Sequence, residues 1–161
     1  MKSMEIYQLT IESALLENDA HLAAMILAEK NLLPEIPFSV SRFPLTDTIH
    51  AAFLDQFLFR FIKMQDSMAK RLIPAIYSVL ENDSSPLPFL DMLSRLEKLG
   101  VLESVDTWQF FRDLRNNLAH DYPENRDQNV SNLNLLFRRW TDFTAIYEHL
   151  KIFYRRRFSE S

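Results

Sequence analysis

The sequence predicts an all-α chain, an antiparallel up-and-down helical bundle in a single domain. Apolar residues recur three or four positions apart along nearly the whole chain, the period of a helix face, and no segment alternates with the period of a strand. The 161 residues contain a single glycine, Gly100. Of the seven prolines, all but Pro74 fall between the apolar stripes, where they act as punctuation.

Met4 to Asn18 and Asp19 to Leu33 read as two short helices, or as one helix with a break. Leu22, Ala23, Ile26 and Leu33 are expected to form the apolar side of the second. Pro34, Pro37 and Pro44 mark a loop, because the residue before a proline is pushed out of helical geometry. Residues 1–45 therefore form a helical extension and Pro-rich loop, and residues 46–158 the core bundle. Thr46 or Asp47 can cap a long helix whose stripe is Phe53, Phe57, Phe61, Met64, Met68 and Leu72. Pro74 is expected to kink or interrupt it, since proline lacks a backbone donor. A polar loop from Glu81 to Pro88 leads to a short helix over Phe89–Leu99, which Gly100 stops in left-handed geometry. Asp106 or Thr107 can cap the next helix, which ends before Pro123. The last runs from about Asp127 to Arg157 on a stripe from Leu133 to Tyr154.

Composition narrows the function. One glycine cannot build a Gly-rich dinucleotide loop or a P-loop, which need several positions of free backbone geometry. No cysteine means no disulfide, no zinc–thiolate site and no thiol nucleophile. That fits a reducing compartment, and a cytoplasmic location is expected. The first residues lack the apolar run of a signal peptide, and no run is long enough for a membrane span. A formal charge of −4 argues against a generally basic nucleic-acid binder but leaves room for a local basic cleft. His21, His50 and His149 lack metal-ligand spacing with acidic partners, so they read as structural or surface groups. Neither metal nor cofactor is expected.

The chemistry concentrates in Arg115-Asn116-Asn117-Leu118-Ala119-His120-Asp121-Tyr122. On a helical wheel Trp108, Phe110, Phe111, Leu114 and Leu118 face the core. Arg112, Asn116 and His120 line up on the polar side, and Arg115 sits at the stripe's edge. Arginine can fork onto a phosphate. Histidine can move protons near neutral pH, and the negative end of the helix dipole favours its charged form. Five residues apart, Arg115 and His120 point roughly 140° from each other on an ideal helix. One copy struggles to aim both at one phosphate; a twofold pairing of this helix, or fraying at Tyr122-Pro123, would bring them together, and the geometry favours a homodimer with the site at its interface. The same residues also fit ordinary surface and capping roles, and Tyr122 fits helix-end packing. Asp66, with Lys63 and Lys70 nearby, reads as a solvated charge or as a group orienting Arg115 or His120. Arg138, Arg139, Arg155, Arg156 and Arg157 read as solvated helix ends or as contacts to an RNA backbone, as does Arg112.

This stretch resembles the signature of the HEPN superfamily, an arginine, a polar residue, a short spacer and a histidine. With a four-residue spacer and a tyrosine two places after the histidine, it is most similar to HepT-type toxins. The resemblance implies a helical bundle, a homodimer and metal-independent endoribonuclease activity. Arg115 and His120 then take the catalytic roles, with Asn116 as the polar neighbour. It also implies a partner, an MNT-type nucleotidyltransferase antitoxin that adenylylates Tyr122. The alternative it leaves open is a non-catalytic helical subunit that binds a nucleotidyltransferase.

Overall fold

The computed structural model describes residues 2–82, 85, 87–119 and 123–159. Among these the regular structure is entirely helical. Helix α1 spans Lys2–Leu32, α2 Thr48–Ser67, α3 Ile73–Glu81, α4 Phe89–Lys98, α5 Val105–Ala119 and α6 Arg126–Tyr154. Short 3-10 turns cover Leu33–Glu35, Val40–Arg42 and Pro123–Asn125, and π-helical turns cover Met68–Leu72 and Arg155–Ser159. No described helix is long and apolar enough to cross a membrane.

The first helix is continuous, without the break the sequence suggested at Asn18–Asp19. It is held along its length by neighbours on two sides. The Asn18 amide donates to the Ser67 hydroxyl at 3.2 Å, and Arg60 meets His21 at 3.2 Å, which aligns α1 antiparallel to α2. On the other side the Tyr147 hydroxyl lies 2.7 Å from the Asp19 carboxylate, and the Trp140 indole donates to Glu29 at 2.5 Å. Residues 2–45 contribute buried side chains to the core. Ile11, Leu15, Met25, Ala28 and Leu32 are buried. Of the inward face predicted for residues 19–33, Leu22 packs on the core, but Ala23, Ile26 and Leu33 are exposed, while Met25, Ala28 and Leu32 face in. The Pro-rich loop is tied to α6 by Asn134, which accepts from the Phe38 N–H at 2.7 Å and donates to the Phe38 carbonyl at 2.9 Å.

Asp47 is the cap of α2, accepting from the Ile49 and His50 N–H groups at 2.9 and 3.0 Å. The α-helix is interrupted just before Pro74, as the sequence predicts, but the chain stays helical through it. The π turn just before it widens the backbone, and the Ile73 N–H donates to the Met68 carbonyl five residues back. The wider turn moves the carbonyls that the proline ring would otherwise crowd, so α2 and α3 run as one rod. That rod ends at Asn82 in left-handed geometry. Gly100 stops α4 at φ 76°, with the Val101 N–H donating to the Leu96 carbonyl at 2.9 Å and both side chains buried. The cap of α5 is Ser104, whose hydroxyl accepts from the Thr107 N–H at 3.1 Å; Asp106 and Thr107 lie inside the helix.

The core sits where α2, α5 and α6 meet. Phe61 packs edge-on against Phe143 at 5.1 Å and Phe111 at 6.5 Å, while Phe57 stacks on Phe137 at 4.3 Å. Helix α4 covers one end through Phe89 and Trp108. Near α1, burial lowers the His21 imidazole below its ordinary value, and the Arg60 charge adds to this against the opposing Glu17. The unfolded chain takes up that proton near pH 6.5, the folded chain only at lower pH, so stability falls as pH drops below about 6.5. Urea midpoints measured from pH 7.5 to 5 should show the loss, and His21→Asn should flatten it. Equal slopes for the two proteins would contradict the role given to His21.

Candidate functional site

The site grows from the C-terminal half of α5. Trp108, Phe111 and Leu114 are buried and fix the helix rotation. That rotation leaves Arg112 and Arg115 on the flank facing α2. Both reach the same carboxylate. The Arg115 Nη2 lies 3.4 Å from each oxygen of Asp66, and the Arg112 Nη1 lies 3.7 Å from Asp66 Oδ1. Arg112 also donates to the Gln65 side-chain oxygen at 3.5 Å, and Arg115 Nη1 donates to Asn116 at 3.4 Å.

Asp66 is therefore not a free solvated charge. It lies in the turn before the π segment, between the buried Met64 and Met68, and its side chain leans out of the core into the α2–α5 groove. Arg112, expected on the polar side away from Arg115, joins it there. The side chains are long enough to bend toward one anion across the wheel angle that separates their Cα atoms.

Among the described residues the trio holds two guanidiniums and one carboxylate, a formal charge of one positive. Its contacts are longer than the roughly 2.7–2.9 Å of tight charge-assisted bonds. Asp66 engages Nη2 and Asn116 engages Nη1 of Arg115, and each of these nitrogens carries a second N–H. Arg115 Nε and Gln65 Nε2 are buried beside it without a hydrogen-bond partner among the described residues. Asn116 and Asn117 are exposed at the rim. A small apolar pocket of about 240 Å³ opens alongside Leu118, walled by Phe43, Leu54, Leu58 and Leu133.

His120 and Tyr122 lie outside the described residues. Arg155, Arg156 and Arg157 are not brought to the trio. They follow the C-terminal end of α6, whereas the motif adjoins its N-terminal end. The 29 residues of α6 separate these ends by about 43 Å at the helical rise. Arg138 and Arg139 lie midway, with Arg139 paired to Asp142 at 2.7 Å and stacked on Phe110. Asp66 lies two positions from both Met64 and Met68, off the apolar stripe of α2, so no local signal selects it over other acidic residues. Its partner helix is not readable from local spacing. Compared with models of known protein families, with curated proteins and with solved structures, the chain matches none.

Proposed function

We propose that the chain is a toxin-type endoribonuclease that needs no metal, works as a homodimer and is silenced by a nucleotidyltransferase partner that adenylylates Tyr122. The observation that supports this best is the Arg112–Arg115–Asp66 trio with its formal charge of one positive at the end of the motif helix. Arg115 would stabilise charge on the non-bridging phosphate oxygens. His120 would take the proton from the 2′-hydroxyl as that oxygen attacks phosphorus, or protonate the leaving 5′-oxygen. DNA lacks the attacking hydroxyl, so the chemistry selects RNA. Asn116, hydrogen-bonded to Arg115, would help to hold the fork in place.

The test is purified protein on RNA and on the matching DNA, with and without EDTA. Cleavage of RNA alone, unaffected by EDTA and lost in His120→Ala, is the expected result. Equal behaviour of wild type and variant would sink the nuclease. Co-expression with a nucleotidyltransferase from the neighbouring reading frame should add one or more AMP units to Tyr122 by mass, and Tyr122→Phe should stay unmodified.

Asp66 supplies a finer prediction. Asp66→Asn removes the charge that aims Arg115 but keeps the side-chain shape. Cleavage should fall by about ten- to a hundredfold through misplacement of the guanidinium. Stability should change by about 1 kcal/mol, because the pair is only a quarter exposed but its contacts are long. A second reading draws on the same contact: an Arg115 held by Asp66 also suits a non-catalytic subunit that binds a nucleotidyltransferase. In that case Asp66→Asn weakens complex formation and no RNA cleavage is seen with any variant.

A further inference from the structure

Helix α1 is apolar on two opposite sides. Met4, Ile11, Met25 and Leu32 point into the chain's own core. On the reverse side Ile6, Leu9, Ser13, Leu16, Ala20 and Ala23 are all exposed. Ile6, Leu9 and Leu16 are 59%, 70% and 75% accessible. The steps between these six positions alternate three and four, the a/d spacing of a coiled-coil seam, and Leu27 continues it. A lone surface helix has no need of that spacing, and exposed apolar stripes of this length are rare on monomers.

We propose that this seam pairs with α1 of a second copy of the chain, antiparallel, about a twofold axis level with residues 14 and 15. The order of large and small side chains selects both the partner and the direction. In that register Ile6 faces the partner's Ala23, Leu9 the partner's Ala20, and Ser13 the partner's Leu16. The twofold repeats the three layers in reverse, so each of the six layers pairs one branched aliphatic with one small residue. A parallel pair would stack Leu9 on Leu9 and Leu16 on Leu16, and would leave voids where Ser13, Ala20 and Ala23 face themselves. A surface complementary to its own twofold image is what an isologous dimer requires. Ser13 can be covered without an orphaned hydroxyl, because Arg71 already donates to it at 2.9 Å.

The patch continues from Leu27 onto Ile49, Ala52 and Phe53 of α2. The seam and this continuation together present one elongated apolar face of α1 and the start of α2. Helix α1 packs on α2, α3 and α6, whereas α5 packs on α2, α4 and α6. The seam is thus remote from the motif groove, and the inference stands independently of the nuclease reading.

The test uses the full chain. Wild type is expected to contain at least two copies by analytical ultracentrifugation. Leu9→Glu and Leu16→Glu should each halve the mass, raising the dissociation constant by about a hundredfold or more. Their circular dichroism should be unchanged, since both positions are exposed. The sequence has no cysteine, so introduced thiols are the only ones present. Positions 9 and 20 of one helix are about 16 Å apart, too far for a bond within one chain. Leu9→Cys/Ala20→Cys should therefore oxidise to a covalent dimer, and either single variant should not. A monomeric wild type, an unchanged mass in both glutamate variants, or cross-linking of the single variants would overturn the proposal.

Discussion

RNA cleavage by co-expressed Arg115→Ala and His120→Ala chains is expected to recover to about a quarter of the wild-type rate, although each variant alone loses about a hundred- to ten-thousandfold. The single losses follow from the roles proposed. Without His120 no group is left to move the 2′-hydroxyl proton. Without Arg115 the charge gathering on phosphate oxygens faces only Arg112, whose guanidinium lies near the Gln65 oxygen as well as Asp66. The recovery follows from the helical period. Five residues turn an ideal helix by roughly 500°, so an arginine and a histidine spaced as in this motif would diverge by about 140° if the helix continued. Two copies related by a twofold axis can instead offer the arginine of one and the histidine of the other to a single phosphate. In a mixed dimer one such composite site is intact and the other lacks both groups. Half of the dimers are mixed when chains assort at random, which sets the recovery at about a quarter. The checks are differential tags, isolation of the doubly tagged species and a single-turnover cleavage assay. Doubly tagged dimers as inactive as the single variants would place both groups of each site on one chain.

Much of the fold was legible because burial imposes periodicity. The stripe of α2, the core side of α5 and the stop at Gly100 each follow from one local constraint, and the structure reproduces them. The failures share a physical cause, which is competition between signals of the same period. In α1 the outward seam and the inward face are both apolar and both helical. The reading that placed Leu22, Ala23, Ile26 and Leu33 inside mixed the two. Pro74 does interrupt its α-helix, but nothing in composition announces that the interruption takes the form of a π turn. The Asp66–Arg115 contact spans 49 positions. It depends on how α2 and α5 are rotated and shifted against each other, which no single-helix pattern encodes. Arg112 and Arg115 were recognised as the basic side of the site, but that they share one carboxylate is a tertiary fact. His120 and Tyr122 lie outside the described residues, so this half of the site rests on the sequence motif.

Phe61→Ala should destabilise the chain by about 3–5 kcal/mol, a large part of the roughly 5–15 kcal/mol that holds an ordinary domain together. The side chain is fully buried and its ring bridges α5 and α6 through Phe111 and Phe143. Truncation leaves a cavity bounded by three separate helices. Phe111 and Phe143 already touch at 5.5 Å, so neither is free to swing in and fill it. The cost should sit near the top of the range for that reason. Leu90→Ala, which removes an exposed aliphatic of α4 away from the α1 seam, should change stability by only a few tenths of a kcal/mol. Urea titrations of the two variants at equal concentration, followed by far-ultraviolet circular dichroism, measure the contrast; a loss below 1 kcal/mol for Phe61→Ala would mean that the three helices do not depend on this ring. Asp66 lies five residues after Phe61 on the same rod, so loosening α2 against α5 also lengthens the Asp66–Arg115 contact. Cleavage should therefore fall in Phe61→Ala even at temperatures where the variant stays folded. Phe61→Leu, which refills most of the volume, should restore both stability and cleavage in parallel, whereas Asp66→Asn should separate them.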